Sequence, residues 1–375
     1  MSELKVDKVS PRTGNYVALN TVGSKNIIIN GDMSIAQRGT SATGLGNGDS
    51  GYHTVDRFKF VENNAPTCEF TQTQSTDVPT GQGFATSLKM DCTTAQGSLA
   101  GDDFIYINTS AEGQNLQYLK KGTANALSLT LSFWVKSNKT GTYIFEIIDR
   151  DNDRAISKSY TISSASTWEK KTITLDGDTT GTLDNDNARS FEIIFWLLAG
   201  ANFQSGTLQT SWNTRTTAND AVGQVNLADN TANEWFITGV QLEAGTTASD
   251  FEFLPHDVNL QRCYRYCYRI NGNATDEQLT STGGFIFSTS ISSINYTFHP
   301  PLRAVPTVSE SNSLEQVTNA AMSLSSLFDD NQVGDCNSVG VAFGADSGAP
   351  FTTNTFSNMR LQNTTSAFIE FDAEL

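Results

Sequence analysis

Four aspartates, Asp176, Asp178, Asp184 and Asp186, share one short polar stretch with Gly177 and Gly181. Carboxylates spaced this way in a loop can converge on a hard cation that takes about six to eight oxygens, so calcium is the cofactor the stretch could hold. A wet loop carrying many carboxylates needs no ion, and that reading stays open beside it. Asp149, Asp151 and Asp153 in DRDNDR alternate in the same way, with Asn152 adding an amide oxygen. Here Arg150 and Arg154 would neutralise the charge, and the position where a calcium loop needs glycine is Arg154, so a solvated hairpin tip is the competing reading.

His256, Cys263 and Cys267 invite a zinc reading, but structural zinc takes four ligands and no fourth stands close by. The alternative is a capping residue followed by two buried thiols. Catalytic signatures are missing: there is no G-x-S-x-G, no H-E-x-x-H and no phosphate-cradling glycine loop. A pair of carboxylates suffices for a glycosidase, and 40 acidic residues contain many pairs. The aromatic inventory carries more. An indole face can lie against the apolar face of a sugar while Asn, Gln and Asp take its hydroxyls. Trp212 in QTSWNTR, with Asn213 beside it, is the tryptophan most exposed by its context, and it serves either as a ligand platform or as an anchor for its loop. Trp168 and Trp235 begin strands and read as core aromatics.

These residues hang on strands. In LSLTLSFWVKS, Leu127, Leu129, Leu131, Phe133 and Val135 alternate with polar residues, the period of a strand with one face on a core. Trp134 breaks the polar parity, so it is covered by a loop or a neighbouring subunit, or it stacks on a ligand. Gly141–Ile148 follows across the turn at Asn138 to Gly141 as the expected antiparallel neighbour. Phe191–Leu198 is apolar on both parities and predicts a central strand. In Trp235–Leu242, the residues Phe236, Val240 and Leu242 share a parity. Asn26–Arg38 predicts two short strands broken at Asn30, Gly31 and Asp32, and Gly39–Gly51 predicts a long surface loop. About ten such strands with frequent turns describe an all-β jelly-roll β-sandwich. Two polar insertions, Asp176–Asn187 and Gly200–Asn233, are expected to supply binding surface or subunit contact.

Pro255–Ile270 changes texture. Asp257 can cap a helix, and Leu260, Cys263, Tyr264 and Cys267 recur at helical spacing, so a short helix joins the sandwich to a second, smaller β-sandwich domain. The expected organisation is an N-terminal attachment or oligomerisation stem at 1–25, a sandwich at 26–256 and a C-terminal β domain at 257–375. Stem and C-terminal unit carry little apolar material and need partners, a homotrimer foremost.

Composition narrows the partners. The chain of 375 residues has a formal net charge of -16 with only 17% charged residues, and no Lys/Arg cluster could neutralise a run of phosphates. Nucleic acid and anionic lipid are therefore disfavoured. No early segment reads as a signal peptide, and the longest apolar run, around Ile193–Gly200, is too short to cross a bilayer. Five scattered cysteines fit assembly in a reducing cell, with a bridge between Cys68 and Cys92 as the one pairing to test.

The blocks NIIINGDMSIAQRG, YHTVDRF, EGQNLQYLKKGTANALSLTLSFWVKSNKTGTY, STWEKKTITLDGD, EWFITGVQLEAG and FEFLPHDVNLQRCYRY resemble, in order and chemistry, a module of tail-fibre and related virion proteins of tailed bacteriophages, especially those of marine and cyanobacterial hosts. SELKVDKVSPRTG is similar to the start of phage fibre proteins, and FHPPLRAVPTV resembles their distal domain. The resemblance spans roughly 26–306. It implies a jelly roll akin to carbohydrate-binding modules, displayed as a homotrimer on the virion, with a host cell-surface polysaccharide or other virion proteins as partners. It brings no agreed ligand residues. The expected function is non-enzymatic host attachment by a tail fibre or receptor-binding protein. The alternatives are a structural virion component, such as a head fibre or tail adaptor, and a polysaccharide depolymerase.

Overall fold

A computed structural model describes residues 24–272 except residue 65, residues 297–311 and residues 368–375, and between these only the backbone of several strands. The expected stem, apart from Ser24 and Lys25, lies outside the described residues.

Twelve strands make the sandwich: β1 (Ser41–Leu45), β2 (Lys59–Asn63), β3 (Glu69–Ser75), β4 (Ser87–Thr94), β5 (Phe104–Glu112), β6 (Leu129–Ser137), β7 (Gly141–Asp149), β8 (Arg154–Ile162), β9 (Glu169–Leu175), β10 (Arg189–Ala199), β11 (Asn213–Thr214) and β12 (Glu234–Ala244). They form two antiparallel six-stranded sheets, ordered β1-β3-β4-β12-β6-β9 and β11-β8-β7-β10-β5-β2. The protein is an all-β sandwich. Alternation explains the layers: Leu131, Phe133 and Val135 on β6 face Phe145 and Ile147 on β7 and Ile193 and Phe195 on β10, all buried in one core. Phe133 meets Phe195 edge-on at 5.3 Å. Each such side chain taken fully from water contributes about 1.5–3 kcal/mol.

Several strand expectations change in three dimensions. β6 and β7 do not pair: β6 lies between β12 and β9, while β7 lies between β8 and β10 in the other sheet. Both strands carry a full apolar face, and burying one face against the other removes more apolar surface than setting them side by side. Gly141, at φ +135°, turns the corner. The parity of β12 is also broken. Trp235 and Ile237 point into the core, Gly239 sits in a bulge at φ +62°, and Val240 and Leu242 then point inward, which leaves Phe236 on the outer face. β10 is central, as its two-sided apolar pattern requires: its inner face meets β6, and its outer Ile194 and Trp196 are covered by Phe203 and Ala221 of the Gly200–Asn233 insertion, which includes the helical turn α1 (Ala201–Gln204). Within the expected Gly39–Gly51 loop, β1 pairs with β3. Cys68 and Cys92 are buried thiols without a bridge.

Ile27 to Arg38 forms turns in place of the expected strands, because side chains take over the role of a ladder. The Asn26 side chain accepts from Ile28 N and Leu242 N, both at 3.0 Å, and donates to Val240 O at 3.0 Å. Asn30 donates to Ile35 O and Asp56 O, each at 2.9 Å. Ile28 therefore enters the core, while Ile27, packed against it, and Ile29 are half-buried.

The helix α2 (His256–Tyr264) starts at Pro255 rather than at an Asp257 cap, and it ends before Cys267, which opens β13 (Cys267–Asn271). Its buried face carries Asn259 and Cys263. Beyond it lie β14 (Gly284–Ile286), β15 (Ser292–Thr297), β16 (Thr307–Glu310), β17 (Leu314–Val317), β18 (Ala321–Ser326), β19 (Gly340–Gly344), β20 (Asp346–Ser347), β21 (Thr355–Leu361) and β22 (Phe368–Asp372). They form a three-stranded sheet, β13-β22-β16, and a seven-stranded one. The chain end returns to the sandwich: Arg38 pairs with Glu370 at 3.1 Å and Asp372 at 3.2 Å, and Arg57 pairs with Glu374. Among the described residues, no helix is long and apolar enough to cross a membrane.

Candidate binding pocket

The residues with the most suggestive chemistry in the sequence are not brought together. Trp212 lies half-buried, its indole stacked on Phe191 at 5.9 Å and 24°, with Nε1 donating to Asp176 O at 2.9 Å and Lys121 Nζ 5.5 Å from the ring centroid. It anchors its loop to the sandwich. Asn213 is exposed on β11 and pairs with Ala155 of β8. Trp134 lies half-buried on the outer face of the first sheet, across from Thr238 and Lys170. Of the four loop aspartates, Asp178 is buried and bound by Lys121 at 3.0 Å and Arg154 at 2.7 Å, while Asp176, Asp184 and Asp186 are exposed. Lys121 also donates to Asp149 at 2.5 Å. Cations from this chain thus occupy Asp149 and Asp178, and among the described residues no three His, Cys, Asp or Glu side chains converge to hold a metal.

Another acidic pair is enclosed. Glu146 of β7 lies beneath the Gly200–Asn233 insertion, which supplies Asp220, and Trp196 Nε1 donates to Glu146 Oε2 at 3.1 Å. Burial, followed by the charge of Asp220, raises the Glu146 carboxyl well above its ordinary value. As a carboxylate, its Oε1 finds no donor. As an acid, it can donate to Asp220, so one proton is shared between them. Glu146 is fully buried and Asp220 is 1% exposed, beyond the reach of a polysaccharide.

The open site lies elsewhere, at the end of β5. A pocket of about 430 Å³ is bounded by the turn segment carrying Ile27 and Ile29, the turns after β5 and α2. β2 stops opposite Asn108, so Ser110 and Ala111 continue β5 past its neighbour and form one wall. Two 3-10 turns follow, Gly113–Asn115 and Gln117–Leu119, whose Leu116 and Leu119 insert into the core and so turn Asn115 and Tyr118 outward. Gly113 is required there, because a Cβ would fall 2.0 Å from Asp184 O. From α2 and the turn after it come Arg262, Arg265 and Tyr266, at the three- and four-residue spacing that puts side chains on one helix face.

The electrostatics of this wall are asymmetric. Arg265 Nε and Nη2 donate to the two oxygens of Glu112, each at 2.7 Å, and Tyr266 Oη and Gln114 Nε2 add bonds of 2.5 Å. Burial pushes the Glu112 carboxyl up, but these donors outweigh it and hold it below its ordinary value. Among the described residues, Arg262 has only longer contacts to neutral oxygens, Ser24 Oγ at 3.3 Å and Asn26 O at 3.4 Å. Burial lowers its guanidinium from the ordinary value, and nearby groups do not restore it. The Tyr118 hydroxyl and the Asn115 side chain make no hydrogen bond among the described residues, and Ser110 Oγ is buried without a partner. The pocket thus combines an aromatic ring, aliphatic walls and unengaged polar groups. The sequence signal was the pair of arginines three residues apart in NLQRCYRY, which periodicity arguments about its thiols and tyrosines passed over.

No protein-family model matches this chain, and no curated protein matches it. Among solved structures, the enzymatically active domain of tailspike protein 4 of bacteriophage CBA120 is similar at 14% identity and a TM-score of 0.30, over 58% of this chain and 21% of that one. A family 11 carbohydrate-binding module from Clostridium thermocellum, in complex with a β-1,3-1,4-mixed-linked tetrasaccharide, is similar at 14% identity and a TM-score of 0.28, over 56% and 98% of the two chains. TmCBM61 in complex with β-1,4-galactotriose is similar at 11% identity and a TM-score of 0.29, over 59% and 99%. None of these likenesses carries a binding residue over to this chain.

Proposed function

We propose that this chain is a non-enzymatic glycan-binding protein of a bacteriophage virion, a tail fibre or receptor-binding component that attaches to host surface saccharide. The observation that carries the reading is the pocket of about 430 Å³ at the end of β5. Tyr118, Ile27 and Ile29 supply surfaces for the apolar face of a pyranose, and Asn115 and Arg262 supply polar atoms for its substituents. The order of sequence blocks shared with tail-fibre proteins supports the virion setting. In a homotrimer, three weak sites would act together: once one engages, the effective concentration of the others rises and attachment outlasts any single contact.

A glycan array probed with the purified full-length oligomer, followed by whole-cell binding, tests this. Saccharide binding that falls with Tyr118→Ala is the expected result. A correctly assembled oligomer that binds no saccharide and no host cell would sink the reading.

One observation favours a second reading. Phe253 is 51% exposed and Val258 39% exposed, both near the start of α2. An apolar surface of this kind suits a neighbouring virion protein, so a structural part such as a head fibre or tail adaptor is the runner-up. A density map of the intact virion separates the two by the position of this chain.

A further inference from the structure

We infer that the pocket at the end of β5 is built for a carboxylate-bearing sugar, a hexuronate unit, with Arg262 as the partner of its carboxylate. The inference rests on the glycan reading above and gives it a substrate class.

The argument is a balance of charges around one cavity. Arg265 is matched by Glu112, and Arg57 by Glu374. Glu252 accepts from Ser24 Oγ at 2.8 Å and from the backbone N–H groups of Lys25 and Asn26 at 3.1 Å and 3.0 Å. It acts on Arg262 through space, without an ion pair. Among the described residues, Arg262 is left as a partly buried guanidinium whose partners are neutral oxygens beyond 3.2 Å. Such a group has lost hydration without regaining it from a carboxylate. Its planar fork matches a carboxylate through two parallel N–H···O bonds.

The remaining lining decides between anions. Tyr118, Ile27 and Ile29 offer ring and aliphatic surface, which a free inorganic anion cannot use. Asn115 and the Tyr118 hydroxyl suit hydroxyl groups around a ring. Glu252 already acts on Arg262 through space, so the local positive charge is small and suits a monoanion better than a phosphate dianion. A monoanionic sugar satisfies all three conditions.

The test uses the full-length protein and oligogalacturonates, their methyl esters and neutral oligogalactose of matched length, read by calorimetry. Methyl esterification removes the charge and keeps the sugar, so the central comparison needs no variant. The acid form is expected to bind at least about tenfold more tightly than the ester. Arg262→Met should bring acid and ester to the same affinity, while Arg262→Lys keeps part of the preference. Equal binding of acid, ester and neutral chains by the wild-type protein would overturn this inference and leave the glycan reading standing. Binding of none of them, with no hit on a broad array, would overturn both. A preference for the acid that persists in a folded Arg262→Met variant would also overturn it.

Discussion

Arg265 grips Glu112 through two donors at 2.7 Å, and this bidentate clamp joins the turn after α2 to the last residue of β5. Arg262 stands one helical turn earlier, so the same clamp sets where the unmatched guanidinium meets the pocket. Glu112 is completely buried, which makes the clamp costly to break from one side.

Replacing Arg265 with Met leaves Glu112 with Tyr266 and Gln114 as its only side-chain donors among the described residues. A loss of about 2–3 kcal/mol is expected, below the cost for a fully buried pair because Arg265 is partly exposed. Urea denaturation measures it, together with reduced saccharide affinity. Because the folded Glu112 carboxyl lies below its ordinary value, its contribution is complete above about pH 4.5 and disappears as pH falls through the folded value. The difference between wild type and Arg265→Met should therefore shrink in acid. A difference that stays constant down to unfolding would contradict the clamp.

Glu146 has the opposite sign. Its folded carboxyl is raised, so above pH 4.5, its ordinary value, the folded chain holds a proton that the unfolded chain releases, and stability falls as pH rises toward the folded value. Glu146→Gln keeps an oxygen for Trp196 Nε1 and a donor for Asp220 without the titration. The variant should match wild type near pH 4.5 and be more stable at pH 8 in paired denaturant titrations. A variant less stable than wild type at pH 8 would rule out the shared proton.

Gly31 lies against the bulge of β12. A Cβ there would fall 2.0 Å from Val240 O, and Gly31 O accepts from Val240 N at 2.8 Å. Gly31→Ala must push two backbones apart, at a cost of about 2–3 kcal/mol. Thermal melting reads this as a lowered midpoint, and an unchanged midpoint would mean that the turn segment adjusts freely.

Trp212→Ala should separate anchoring from binding. Stacked on Phe191 and bonded to Asp176 O, the indole holds its loop, and its removal should cost about 2 kcal/mol while saccharide affinity changes less than twofold. A stable Trp212→Ala protein that no longer binds saccharide would move the site to this loop.

Much of this was legible along the chain. The apolar parity of Leu129 to Val135 marks the core face of β6 and the two-sided apolar run of Phe191–Leu198 a central strand, and both stand so. The polar face of β6 is covered as well: Thr130, Ser132 and Lys136 are buried and Trp134 alone is half-exposed. Phe236 misled because Gly239 can take a positive φ, and a bulge changes parity without changing composition. Trp212 looked exposed because its neighbours in sequence are polar, yet Phe191, its neighbour in space, is 21 residues away.

By itself the sequence determined that the chain is all-β, which residues along most strands face a core, and that helical spacing sets in after Pro255. These are local properties, carried by a two-residue or 3.6-residue period within a few neighbours. Only the tertiary structure decided that β6 and β7 face each other across the core, that Lys121 occupies the carboxylates of Asp149 and Asp178, and that Arg262 bonds no carboxylate among the described residues. Pairing and charge matching join residues far apart in sequence, and no period in the chain records which of many equivalent carboxylates a given cation will meet.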